Sequence, residues 1–257
     1  MSKVVALFNQ KGGVGKTTVT INLAVGLARR KKKVLVVDLD PQSNTTSGFG
    51  QEASDKGSIY ELFHGEVEAQ DILLSLEKNL DLLPSSRDLA AFSLESEGKD
   101  PMLLKSKLEN IKKDYDFVLL DCPPSLGLLS VNALVASDTV LIPIQCEYYA
   151  LEGLSQLMET IDMMQRGLNP TLEVEGVLLN MVDKRNNLTK DVAAEVRNFF
   201  KEKVYNTEIP RNVRLAEAPS YGMNIYDYDS LSRGSMSFKR WVREFIKRSE
   251  TWQKRED

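Results

Sequence analysis

The sequence predicts an α/β fold: one doubly wound, mainly parallel sheet of about seven or eight strands with helices on both faces. Three observations predict it. Continuous apolar runs recur, among them Val4-Val5-Ala6-Leu7-Phe8, Val34-Leu35-Val36-Val37 and Phe117-Val118-Leu119-Leu120. Runs without polar alternation fit strands covered on both faces. Helix-periodic segments separate these runs, and a glycine-rich turn, Gln10-Lys11-Gly12-Gly13-Val14-Gly15-Lys16-Thr17-Thr18, joins the first run to the first helix.

In chain order, the first helix spans about 16–30 and ends in the cations Arg29-Arg30-Lys31-Lys32-Lys33, which complement a helix C-terminus. The run 34–37 is a strand closed by Asp38, followed by Leu39-Asp40-Pro41-Gln42 and a polar loop over 43–50. A short helix is read over 58–63, ending near His64, and a strand over 80–84. Helices follow over 85–97, with Gly98 as the stop, and over 101–113, with Pro101 in the first turn. The strand 117–121 ends in Asp121, and Cys122-Pro123-Pro124-Ser125 turns the chain. Strand 139–144, helix 150–166 and strand 176–180 come next, then a polar loop over 181–187. Thr189 is read as the N-cap of a helix over 189–203. The segment 207–212 is extended, and a last helix covers about 235–249. No repeat, low-complexity stretch or linker divides the chain, so a single domain over 1–257 is expected.

Composition narrows the chemistry. The chain has 257 residues, 42% of them hydrophobic, enough for a sizeable core. No apolar run approaches the ~20 residues of a membrane span. Met1-Ser2-Lys3 runs straight into a strand, so no signal peptide is read and a cytoplasmic location is expected. Cys122 and Cys146 are the two cysteines and His64 the one histidine. That leaves too few ligands for an ordinary zinc site and no plausible Ser-His-Asp or Cys-His nucleophile. Metal chemistry, if present, falls to Mg²⁺ on oxygen ligands. The net charge of −4 is unevenly spread: 1–183 carries −9 and 184–257 carries +5. A positive C-terminal third suits a polyanion, or a solvated helical surface.

Strand, glycine-rich turn, helix is the setting of a phosphate-binding loop. Glycines let backbone N–H groups converge where a Cβ would block approach, and the helix N-terminus adds donors and a positive dipole end. Gly12, Gly13, Val14, Gly15, Lys16, Thr17 and Thr18 form the cradle. Lys16 is placed to reach β- and γ-phosphates, and Thr17 to ligate Mg²⁺. A dinucleotide fingerprint fails, because its third glycine falls on Thr18. Asp121 ends a buried strand and fits a Walker B carboxylate that orders Mg²⁺-bound water. Asp40 is the candidate for orienting the attacking water. Asp38 is its alternative, and both could be sheet-end caps. Asn180, at a strand's C-terminal end, is a candidate for base recognition or a loop-start hydrogen bond.

The loop departs from the usual pattern, with Gln10 where a glycine is standard and a second lysine, Lys11, inside it. Lys-Gly-Gly-x-Gly-Lys-Thr-Thr resembles the deviant phosphate loop of the ATPase family that includes the partition proteins ParA and Soj, the division-site protein MinD and the nitrogenase iron protein. Resemblance to ParA/Soj spans nearly the whole chain: 9–18, 38–42 with Ser47-Gly48, 119–125, and Ile209-Pro210-Arg211-Asn212-Val213-Arg214 through Glu217-Ala218-Pro219-Ser220. It implies a deviant P-loop fold, ATP and Mg²⁺ as cofactors, and slow ATP hydrolysis. It gives the matching Asp40 the water-positioning role. Lys11 becomes the lysine that reaches the partner's nucleotide in an ATP-bound sandwich homodimer, where a trans cation contributes ~10³–10⁵-fold in rate. The alternative leaves Lys11 in solvent. Pro210 and Asn212 are implied beside adenine.

The same resemblance implies nonspecific DNA binding by the dimer, with hydrolysis triggered by a ParB-type centromere-binding partner, in a nucleoid-associated cytoplasmic protein. Phosphate contacts supply such binding without base readout. Candidate DNA contacts are Lys184, Arg185, Arg211, Arg214, Arg233, Lys239, Arg240 and Arg243; Arg211 could instead serve the nucleotide or the dimer interface. Two rivals remain. Phe238, Trp241, Val242, Phe245 and Ile246 form a helical stripe with Lys239, Arg240, Arg243, Lys247 and Arg248 off it, which fits a MinD-like membrane-surface helix or core packing. The stretch 250–257 lacks a terminal apolar anchor, so stable membrane association is not expected. An ATP-dependent metabolic enzyme on the same scaffold is the other rival. An iron–sulfur reductase is weaker, because Cys122 alone could not give two thiolates per subunit.

Overall fold

The structure, a computed structural model, describes residues 2–94, 100–147 and 150–256. Among the described residues seven strands form one sheet: β1 (Lys3–Leu7), β2 (Val34–Asp38), β3 (Leu74–Glu77), β4 (Leu80–Leu83), β5 (Phe117–Asp121), β6 (Thr139–Gln145) and β7 (Glu173–Asn180). Their order is β3-β4-β2-β5-β1-β6-β7, and every neighbouring pair is parallel except β3–β4. Strand order turns back on the two sides of β1, which makes the C-terminal ends of β1, β2 and β5 the crevice where α/β sheets bind ligands.

Alternate side chains of every strand but the edge strand β3 feed two cores. Val5, Leu7, Val36, Leu119 and Leu178 pack beneath α1 (Lys16–Ala28) and the last helix, with Phe238, Trp241, Val242 and Phe245. Val4, Ala6, Leu35, Val37, Leu120 and Ile142 pack on the other face against Leu104, Ala133, Leu157 and Val196. These come from α5 (Leu103–Leu108), α6 (Leu128–Ala136), α7 (Ala150–Arg166) and α8 (Asn187–Phe200). The short helices are α2 (Asn44–Gly48), α3 (Ile59–His64), α4 (Leu89–Leu94), α9 (Val213–Glu217) and α10 (Ile225–Tyr228); α11 runs Arg233–Glu256.

Several sequence expectations need correction. The polar loop over 43–50 contains α2. Its Asn-Thr-Thr-Ser-Gly sequence has poor helix propensity, but Asp38 Oδ2 accepts from both the Thr46 amide (2.9 Å) and hydroxyl (2.7 Å) and fixes the turn. The helix expected over 85–97 begins at Leu89, because Ser85 is spent on Asp40 O and Thr46 Oγ1. Its end, with Gly98, lies outside the described residues. The helix expected over 101–113 is α5 followed by a 3₁₀ turn, Lys112–Asp114. Asn186, not Thr189, caps α8: its side chain accepts from Leu188 N, while Thr189 is buried against Cys146 O. The last helix is longer than 235–249, spanning Arg233–Glu256. Strand β3 and helix α6 are additions.

Candidate functional site

The loop between β1 and α1 closes on glycines in the left-handed region. Gly13 has φ +75 and Gly15 φ +88, and Gly15 takes the N-cap position of α1. A Cβ on Gly15 would run into the Asn180 side-chain amide, so that position is glycine for lack of space as well as for its φ. Asn180 Nδ2 donates to Val14 O at 2.8 Å and its Oδ1 accepts from Met181 N at 3.0 Å. Asn180 thus ties β7 to the back of the loop, which is the loop-start bonding weighed from sequence.

The two loop lysines point to different places. Lys16 is buried, with Nζ donating to Asn9 O at 3.0 Å. Burial lowers its affinity for the proton; Asp121, Cys122 and Asp40 pull the other way. Lys11 is about a third exposed and pairs with Glu147 at 2.9 Å. Its amide donates to Asn9 Oδ1, and Asn9 Nδ2 donates to Pro143 O. Gln10 Nε2 donates to Thr160 Oγ1. Residues 9–11 are therefore fastened, one after another, to β6, α7 and the loop between them.

The carboxylates collect at the sheet end. Asp38 and Asp121 are register partners on β2 and β5, both wholly buried. Asp121 accepts from the hydroxyls of Thr17 (2.8 Å), Thr20 (3.0 Å) and Thr45 (2.6 Å). Burial raises its proton affinity, and these threonines with Lys16 oppose the rise. Burial, then Asp121, pushes Asp38 up to about 7. Asp38 spends both oxygens on Thr46 and on Asp40 N. Asp40 is nearly buried; its Oδ1 accepts from Gln42 N at 2.9 Å. Thr20 and Thr45 were missed from sequence, because nothing local marks a threonine as partner to a carboxylate 76 or 101 residues away.

The residues fit ATP and Mg²⁺. The cradle is open at Gly13, where an added Cβ would meet nothing. Thr17 Oγ1 and Asp121 are hard oxygen donors already side by side, as Mg²⁺ prefers. Among the described residues no group of three or more His, Cys, Asp or Glu could hold a metal, so phosphate oxygens and water would complete the coordination. Burial pushes the Cys122 thiol up and Cys146 to about 11, far from nucleophilic thiolates.

Pro210 and Asn212 sit on an extended segment that bridges to Val182, with Asn212 Oδ1 capping α9 through Arg214 N at 2.9 Å. The basic candidates lie in the loop after β7, in and just before α9, and on α11. Lys184 pairs with Glu208 (3.0 Å), and Arg185 grips Asp183, whose acidity is raised to a pKa of about 2 by Arg185 and also by Arg211. Arg214 bridges Glu217 and Asp229. Arg233, Lys239, Arg240 and Arg243 ride on α11, with Lys239 Nζ donating to Ser230 O and Arg240 to Ser237 Oγ. Arg185, Arg211, Arg214, Arg233, Arg240 and Arg243 are exposed. The stripe on α11 faces inward: Phe238, Trp241, Val242 and Phe245 have no exposed surface, and Ile246 is half-buried. Among the described residues no helix is long and apolar enough to cross a membrane.

Comparison with known proteins gives this geometry a context. A family model described as an AAA domain, AAA_31, matches residues 2–174. The sporulation initiation inhibitor protein Soj of Bacillus subtilis (strain 168) is 51% identical over 239 residues, 91% of this chain and 94% of its own. The chromosome partitioning protein ParA of Myxococcus xanthus (strain DK1622) is 46% identical, covering 96% of this chain and 89% of its own. The solved structure of cobyrinic acid a,c-diamide synthase from Mycobacterium smegmatis, with bound ADP and magnesium, superposes with a TM-score of 0.84 at 31% identity, over 97% of this chain and 96% of that one. A family match over most of the chain, near-full-length identity to Soj and ParA, and the deviant loop with Lys11 and Lys16 lead to one conclusion: the chain belongs to the ParA/Soj family of chromosome-partitioning ATPases.

Proposed function

We propose that this chain is an ATP-hydrolysing partition switch. ATP and Mg²⁺ convert monomer to a sandwich homodimer, the dimer binds DNA without sequence preference, and a ParB-type partner stimulates hydrolysis and release. The observation that carries the reading is the divergence of the two loop lysines: Lys16 is turned into the cradle and Lys11 out of it. One site needs one phosphate lysine, so an outward lysine on the same loop suits a second nucleotide.

The roles follow from placement. The 12–18 loop cradles the phosphates, and Lys16 neutralises their charge. Thr17 ligates Mg²⁺, which when bound neutralises the charge developing on the phosphoryl oxygens. Asp121 orders water on the ion. Asp40 orients the attacking water, since Asp38 has both oxygens committed. Asn180 braces the loop and stands at the base side of the site, and Pro210 and Asn212 line the adenine side. Residues 1–257 act as one ATPase domain, cytoplasmic and on the nucleoid. DNA contacts come from the exposed arginines, with Lys184 and Lys239 beside them.

A diamide synthase on the same fold keeps the metabolic reading alive, but that relative is 31% identical against 46–51% for the partition proteins. The test is sedimentation of Lys16→Ala with ATP and Mg²⁺. The parent is expected to dimerise and the variant to stay monomeric. A Lys16→Ala protein that dimerises like the parent contradicts the switch.

A further inference from the structure

We infer that Glu147 is a positioning residue for Lys11: it holds the lysine on its own subunit and must release it before Lys11 can act on a partner. The inference rests on the reading of Lys11 as a trans residue. It adds the device that keeps that residue parked.

The geometry is specific. Glu147 lies just beyond β6, the strand next to β1, so the loops leaving the two strands run side by side. Each oxygen of its carboxylate has one donor: Oε2 takes Lys11 Nζ at 2.9 Å and Oε1 takes Gln145 Nε2 at 2.6 Å. Gln145 also accepts the Glu147 amide through its carbonyl at 2.9 Å, a tight turn that aims the carboxylate at the loop. The backbone of Lys11 is already fixed by Asn9 Oδ1. What remains free to switch is the Lys11 side chain, and Glu147 is what it rests on.

The strength of the contact suits a latch. Lys11 is 35% and Glu147 49% exposed, and ion pairs at such exposure are weak. A buried pair would lock the lysine. An exposed one biases it by a fewfold factor, which a triphosphate on the facing subunit, carrying more charge than one carboxylate, can outcompete.

The test is sedimentation of the full-length protein, titrated with Mg²⁺ and a nonhydrolysable ATP analogue, for the parent, Glu147→Gln, Lys11→Ala and the double variant. Glu147→Gln is expected to halve the analogue concentration at the dimerisation midpoint or lower it further, by about two- to fivefold. Gln145→Ala, which strips the second donor from the carboxylate, is expected to shift it the same way. Easier dimerisation is a gain that a merely structural loss would not produce. Lys11→Ala is expected to abolish dimerisation in both backgrounds. If Lys11→Ala abolishes it while Glu147→Gln leaves the midpoint unchanged or raises it, the latch is wrong and the trans reading stands. If Lys11→Ala dimerises like the parent, the trans reading fails and takes the latch with it.

Discussion

Asp38 and Asp121 stand side by side at the ends of β2 and β5, and two buried carboxyl groups so placed resist ionising together. Burial, then the charge of Asp121, pushes Asp38 up to about 7. Unfolded, an aspartate titrates near 4. Between those values the folded chain keeps a proton that the unfolded chain has released, so this group's contribution to stability declines as pH rises from about 4 to 7. The expected slope is up to ~1.4 kcal/mol per pH unit. Urea unfolding of the nucleotide-free protein at pH 5 and 7, compared with Asp38→Asn, isolates it: the variant is expected to lose that slope. Equal slopes would show that Asp38 ionises normally. The same pair explains why Asp40, two residues on, is the better partner for water. Asp38 is consumed in holding α2.

At the scale of elements, α11 decides between two readings that sequence left open. Its apolar stripe fits lipid or core equally well by period, and only packing separates them. Phe245 packs at a tilt against Phe117 of β5, and Trp241 meets Tyr205 edge-on. Gly26 of α1 has no room for a Cβ beside Val242 and Tyr226. Removing the fully buried Trp241 is expected to cost about 3–5 kcal/mol, read as a lower urea midpoint for Trp241→Ala. A surface-helix residue would cost far less. The strands, the phosphate loop and α1 were legible because their signals are local: unbroken apolar runs, glycine spacing and a 3.6 period. Helix α2 was not, because its turn is held by Asp38 rather than by its own propensity. The same reason hid Thr20 and Thr45 as Asp121's partners, and Glu147 as Lys11's. Strand β3 was missed because it is a short edge strand of alternating exposure, without the buried run of its neighbours.

Over the whole molecule, charge and assembly meet. The acidic 1–183 stretch carries the nucleotide loop, and the exposed arginines proposed to meet DNA lie in the basic remainder. Arg214 spans from α9 to Asp229, just ahead of α11, so two of the basic segments are physically joined. Phosphate contacts without base readout make binding fall steeply as salt rises. The most direct measurement is cosedimentation of the Asp40→Ala protein with ATP and Mg²⁺, offered plain DNA and anionic liposomes in parallel at two salt concentrations. The account predicts an ATP-loaded dimer that persists without turnover, pellets with DNA, releases as salt is raised, and ignores the liposomes. Normal ATP turnover by Asp40→Ala, or sedimentation with liposomes alone, would contradict it.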